Sequence, residues 1–165
     1  MECVWLSTTS GPLETNTYLL KCNSEGVIVD PRAYIDDILR LVEKSSVRVV
    51  RYIVATHGHF DHVFYASTLS EYYNAAIVLH EDGFQLVHSQ GEVSSRLYGE
   101  HYKPPQQHQL KLVREDVKLE FAGVELRILH TPGHAAGSIC MLVGGLLFTG
   151  DTLFKGTIGR IDFPE

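Results

Sequence analysis

Three histidines and an aspartate, His57, His59, Asp61 and His62, crowd into six consecutive positions. Imidazole nitrogen and carboxylate oxygen are the donors that hold zinc and similar divalent ions. The apolar run Tyr52-Ile53-Val54-Ala55 leads directly into them. That order places a metal cluster at the C-terminal end of a buried strand, where open α/β sheets carry their chemistry. The alternative, a solvated His-rich loop, does not explain two further candidates downstream. His134 lies in His130-Thr131-Pro132-Gly133-His134, where Pro-Gly forces a turn after a strand and presents the imidazole at its end. Asp151 follows Leu146-Leu147-Phe148-Thr149-Gly150. A carboxylate there can cap a helix, but its place at a third strand end favours a metal-bridging role. His130 itself closes its strand and is expected to pack or hydrogen-bond behind the site.

The elements that must position these groups are legible as alternating patterns. Residues 3–8, 15–22 and 25–30 read as strands, the last stopped by Pro31. Residues 34–44 carry apolar positions at Ile35, Ile38, Leu39 and Val42, a helical stripe. Residues 49–55 form an apolar strand, 63–73 a helix and 76–80 another strand. Residues 81–114 show no clean period, and short helices with an irregular excursion are expected. Strands resume at 117–121, 124–130, 138–143 and 146–149, with Ala122-Gly123 and Gly144-Gly145 as turns. Each half thus ends a buried strand in a loop bearing ligand-type residues.

At 165 residues, 44% of them apolar and 21% charged, a single globular domain is the expectation. The net charge of −6 argues against nucleic-acid binding, which needs a basic footprint. No apolar run reaches the ~20 residues of a membrane span, and no signal peptide is read at the start. Cys3, Cys22 and Cys140 form no C-x-x-C pair, so three buried free thiols in a reducing cytoplasm are expected.

Taken in order, Thr-His-Gly-His-Phe-Asp-His, His-Thr-Pro-Gly-His-x-x-Gly-Ser and Phe-Thr-Gly-Asp-Thr-Leu-Phe resemble the metallo-β-lactamase superfamily. The stretch Gly156-Thr157-Ile158-Gly159-Arg160-Ile161-Asp162-Phe163-Pro164 is similar to its glyoxalase II-like branch. The resemblance implies an α/β (α+β) fold, a four-layer αββα sandwich of two similar halves with metals between the sheet edges. It implies that His57, His59 and His134 hold one metal. Asp61 and His62 would hold a second, with Asp151 bridging. It further implies Zn2+, one or two per chain, with Fe2+ as the alternative. The activity implied is hydrolysis of a small-molecule thioester or related activated acyl compound, hydroxyacylglutathione hydrolase-like, by a metal-held hydroxide. Asp61, beside that water, would orient its proton. β-Lactam hydrolysis would need an export signal, and RNA processing would need an inserted domain.

The pattern departs from the family in one respect. The resemblance implies another metal-two histidine beyond Glu165, together with the last strands and helix. Three readings follow: a fragment of a longer protein, a short form completed by a partner subunit in a homo-oligomer, or a one-metal enzyme. The last has a precedent in the persulfide dioxygenases, whose single iron sits on two histidines and an aspartate, here His57, His134 and Asp151. A lactonase-like or non-catalytic metal-binding member is a further alternative. His80, His88, His101 and His108 are substitutes for the absent ligand by elimination alone. Lys155 and Arg160 could face an anionic substrate, though Asp162 offers Arg160 an ion pair instead. Tyr98, Tyr102 and Lys103 could form a substrate wall or simply pack.

Overall fold

A computed structural model of the chain describes residues 3–162, so Phe163 and Pro164 of the last motif lie outside the described residues. Two sheets face each other. The first has six strands: β1 (Cys3–Thr9), β2 (Asn16–Cys22), β3 (Glu25–Val29), β4 (Val49–Val54), β5 (Ala76–His80) and β6 (Leu110–Val113), in that spatial order. β1 to β3 pair antiparallel, and β3 to β6 run parallel. The second sheet joins β7 (Val117–Phe121), β8 (Val124–His130), β9 (Ile139–Val143) and β10 (Leu146–Phe148) as an antiparallel meander. A short ribbon, β11 (Leu153–Phe154) and β12 (Thr157–Ile158), follows.

Parallel strands need long crossovers, and helices supply them. α1 (Ile35–Lys44) links β3 to β4, α2 (Phe60–Val63) and α3 (Ala66–Tyr73) link β4 to β5, and α4 (Phe84–Tyr98) lies between β5 and β6. Side chains alternate between faces along a strand, so the first sheet feeds two cores. Leu19, Ile28, Ile53 and Ile77 pack toward the helices with Ile38 and Leu69. Leu20, Val27, Val54 and Val78 meet Leu126, Ile128 and Met141 of the second sheet. Burial on both faces explains why β3, β4 and β5 read as nearly continuous apolar runs.

The architecture is the mixed α/β sandwich expected, with three of its four layers among the described residues. No described helix covers the outer face of the second sheet, where Lys118, Glu120, Glu125 and Arg127 are exposed. No helix is long and apolar enough to cross a membrane, among the described residues.

Two expectations are corrected. The stretch 81–114 is not chiefly irregular: it holds a 15-residue helix, α4, and a sixth strand. The helix buries Val87, Gln90 and Ser94, a stripe with only one apolar member that a search for apolar periodicity passes over. The expectation of three free thiols is also overturned. Cys3 and Cys22 are disulfide-bonded, and Cys140 is the free, buried cysteine. The register of β1 on β2 sets the two directly opposite, with Cα atoms 4.3 Å apart. The argument from free thiols to a reducing compartment therefore lapses.

A thiol titration of the denatured protein should find one reactive cysteine without reductant and three with it. Closing a loop with a sequence separation of 19 stabilises by about 3 kcal/mol in chain-entropy terms, so reductant should lower the melting temperature. Three thiols without reductant would remove the bridge from this account.

Candidate metal centre

Each chemistry-bearing side chain stands just past a strand end. β4 delivers Thr56, His57 and His59 and then enters α2, which carries Asp61 and His62. β8 delivers His130 and the loop to His134, and β10 delivers Asp151. His57, His59 and His134 converge so that one ligand atom from each lies within 4.8 Å of the others, and His57, His62 and Asp151 do the same. Asp61 joins them, its Oδ2 3.7 Å from Nε2 of His62. Asp151 lies between the groups, Oδ1 3.3 Å from His62 Nε2 and Oδ2 3.6 Å from His134 Nε2. All six residues singled out by type and spacing are thus brought together, from three separate strand ends.

The tautomers are set from behind. Asp30, 2% exposed, accepts the backbone N–H of Thr56 and its hydroxyl proton, each at 2.8 Å. With its proton committed there, Thr56 Oγ1 can accept Nδ1–H of His57 at 3.2 Å. The Nε2 of His57 then points inward as a lone pair, buried and without a hydrogen-bond partner. His62 gives Nδ1–H to Asp30 Oδ2 at 2.9 Å, which turns its Nε2 toward Asp61 and Asp151. His134 gives Nδ1–H to the carbonyl of Arg160 at 2.8 Å, so its Nε2 faces Nδ1 of His59 at 3.1 Å.

This donor set fits a divalent cation. Two ring nitrogens 3.1 Å apart need a proton or a cation between them. Donors ~2.0–2.1 Å from a tetrahedral ion are separated by about 3.3 Å, within the spread seen here. Burial, then the neighbouring His62, His59 and His134, push the His57 imidazole well below its ordinary range, so it offers a bare lone pair. Burial and His134 lower His59 as well. His62 goes the other way. Burial pushes it down, but Asp30, Asp151 and Asp61 outweigh that and hold it well above its usual value. Burial alone would raise Asp151, yet the imidazoles of His62, His134 and His59 keep it below the carboxylate range.

A cavity of about 770 Å³ opens over Asp61, His62 and Asp151. Trp5, Tyr18, Leu147, Phe148 and Phe154 form apolar walls, and Lys155 stands in its lining. Arg160 is placed otherwise: its guanidinium pairs with Asp162 at 2.9 and 3.1 Å, and its backbone carbonyl serves His134. Tyr102 is buried in the helix-side core, Lys103 pairs with Glu71, and Tyr98 packs on Phe60. His88 bonds the Phe84 carbonyl one helical turn back, His101 and His108 are exposed, and His80 stacks on His130. None of these four histidines joins the cluster.

Sequence reasoning missed Asp30. Its signal was present: a carboxylate at the end of an apolar strand, as Asp151 is. Gly150 is the other silent member. It holds φ +48°, and a Cβ there would lie 2.2 Å from Thr56 Oγ1, so only glycine lets the Asp151 turn close on the Thr56 hydroxyl. Asp30→Ala should leave the Thr56 N–H and His62 Nδ1–H without an acceptor. Loss of such support typically lowers metal affinity ~10–100-fold and costs about 1–3 kcal/mol per buried unpaired group. Metal titration and thermal melts check both, and unchanged affinity would detach Asp30 from the centre.

Comparison with known proteins places this geometry. Residues 10–165 match the Metallo-beta-lactamase superfamily. The chain is 30% identical over 162 residues to the probable metallo-hydrolase YqgX of Bacillus subtilis, covering 96% of this chain and 75% of that protein. It is 28% identical over 144 residues to the hydroxyacylglutathione hydrolase GloC of Haemophilus influenzae, covering 84% and 66%. Among solved structures, the BLEG-1 B3 metallo-beta-lactamase superposes with a TM-score of 0.83 at 28% identity over 98% of this chain and 78% of that one. The di-iron-bound form of TTHA1623 gives 0.81 at 29% identity over 96% and 78%. With its fold, its strand-end cluster of histidines and aspartates and this match in agreement, the chain belongs to the metallo-beta-lactamase superfamily.

Proposed function

We propose that this protein is a metal-dependent hydrolase of small-molecule thioesters or related activated acyl compounds, hydroxyacylglutathione hydrolase-like, working with Zn2+, or alternatively Fe2+. The observation that carries the reading is the pair of adjoining donor groups, His57, His59 and His134 and then His57, His62 and Asp151, with Asp151 between His62 and His134 and open to a cavity with apolar walls. The likeness to YqgX and GloC supports it. His57, His59 and His134 would hold one ion, and Asp61, His62 and Asp151 a second. A bound divalent ion would bring the pKa of water toward ~7 and polarise a carbonyl oxygen.

The chain's own residues supply the rest. Asp61 is partly open to the cavity, and Thr15 Oγ1–H reaches its Oδ2 at 3.5 Å. Asp61 lines the cavity, where its carboxylate would accept and orient a proton of the attacking water. Trp5, Tyr18, Phe148 and Phe154 would take the apolar part of the acyl compound and exclude water around the carbonyl. Lys155 would balance an anionic group on it, a role the Arg160–Asp162 pair leaves to Lys155.

Asp61→Ala should abolish thioester turnover while leaving circular dichroism native, because Asp61 sits on a one-turn helix outside both cores. Unchanged turnover with unchanged metal content would sink its assigned role. Zinc-loaded protein hydrolysing a thioester is the expected result. Oxygen uptake by an iron-loaded form, without hydrolysis, would replace this reading with a persulfide dioxygenase-like one.

The donor sets also predict unequal occupancy. The first ion would have three imidazoles, the second one imidazole and two carboxylates, one of them shared. Loss of even supporting groups around a ligand weakens binding ~10–100-fold. The second ion should therefore leave first on mild chelation, and turnover should fall with it. Two equally tight ions in this 165-residue chain would mean that another residue completes the second set.

A further inference from the structure

The end of β5 contributes nothing to the metal cluster, yet two of the three ligand-bearing loops close on it. A Cβ at Gly137 would lie 2.3 Å from the backbone nitrogen of Gly83, and one at Gly58 would lie 2.9 Å from its carbonyl oxygen. The loop after β4, carrying His57 and His59, and the loop after β8, carrying His134, are thus in backbone contact with one turn at 81–83. Two histidines flank that contact. His80 is 3% exposed, and its Nδ1 accepts the N–H of Asp82 at 3.2 Å. Its ring stacks on His130, with centroids 3.7 Å apart and planes 12° from parallel. His130 gives Nε2–H to the carbonyl of Ala136 at 2.8 Å, and its backbone N–H goes to Asp116 Oδ1 at 3.0 Å.

His80, Asp82 and His130 lie close enough together to suggest a second cation site. Ring geometry argues otherwise. Stacked imidazoles direct their lone pairs side by side rather than to one point, and His130 Nε2 already carries the proton that Ala136 accepts. Nε2 of His80 is buried and makes no hydrogen bond.

We infer that His80 and His130 are positioning residues for the metal centre. The stack seats the His130 ring, and its hydrogen bond to Ala136 sets the height of the 131–138 loop. Ala136 is two residues from His134, so this bond acts with the one from His134 Nδ1 to the Arg160 carbonyl: the second orients the ring, and the first helps set where the loop holds it relative to His57 and His59. Burial, and then His130, hold the His80 imidazole below its ordinary value, which keeps the stack free of like-charge repulsion. The inference rests on the metal centre proposed above.

Three substitutions separate the parts. His130→Phe keeps a stacking ring and removes the donor. His130→Gln removes the ring and keeps a donor. His80→Ala removes the stack. Cobalt titration would give the dissociation constant of the first ion and the intensity of its visible bands, and melting of the metal-free protein would report on packing. His130→Phe and His80→Ala should weaken the first ion by ~10–100-fold and alter its bands. Metal-free His130→Phe should still melt cooperatively as a folded chain, and His130→Gln, which keeps a donor but loses the stack, should bind the ion more tightly than His130→Phe and less tightly than the parent. If His80→Ala does not fold, His130→Phe decides alone. Parent-like affinity and spectrum in His130→Phe would overturn the inference. So would an additional ion in the parent chain that His80→Ala alone loses, since the triad would then be a cation site itself. A parent chain that takes up no ion would instead defeat the metal-centre reading, and this inference with it.

Discussion

A carboxylate removed from water must be matched by hydrogen-bond donors, and the site depends on how Asp30 is matched. It takes the backbone N–H and hydroxyl proton of Thr56 and the Nδ1–H of His62. Those bonds lock the end of β3 to the start of the loop after β4. They also settle two tautomers in one stroke, that of His62 directly and that of His57 through the Thr56 hydroxyl. The residue holds φ +50°, an uncommon conformation for a non-glycine residue. Its dense hydrogen bonding keeps it there. Metal ligands are usually steered by partners behind them. Here one buried carboxylate serves residues assigned to both donor sets.

The sandwich supplies the convergence around that carboxylate. Parallel strands β3, β4 and β5 end together at one edge of the first sheet, and β8 and β10 end opposite them in the second. The inter-sheet core of Val27, Val54, Leu126, Ile128 and Met141 holds the two edges at a constant spacing. Six ligand-type groups can therefore meet although they are spread from His57 to Asp151. Tight turns then close the approach, Gly150 against the Thr56 side chain and Gly137 against the Gly83 backbone. The cavity lies where the sheets open; its apolar walls come from β1, β2, β10 and β11, and Asp61, His62 and Asp151 border it from the ligand loops.

The chemistry of the site was the most legible part of the chain, for a physical reason. Few side chains ligate divalent metals, histidine and carboxylates prominent among them, and the turns that present them here carry glycine or proline. Both requirements are written in residue types over short spans, as in residues 56–62 and 130–138. The apolar strands β3, β4 and β5 and the stripe of α1 were readable because burial imposes a period. Where burial imposed none, the reading failed. The helix α4 packs through Gln90 and Ser94, whose hydrogen bonds are made to Phe60 and Glu100, and no apolar repeat announces it.

What the sequence determined by itself is the group of candidate donors, the strand-and-turn grammar that presents them and the superfamily. What only the tertiary structure decided are pairings between distant segments. The register of β1 on β2 made a disulfide of Cys3 and Cys22, cysteines with no local motif. Three-dimensional neighbours turned Asp30 from a strand-end carboxylate into the acceptor for His62. They spent the side chain of Arg160 on Asp162 and gave its carbonyl to His134. They stacked His80 on His130 across two sheets. Ligand identity is a property of single residues and is carried by composition and spacing. Orientation, tautomer and partner depend on which side chains are brought within about 3 Å, and only the packed fold sets that.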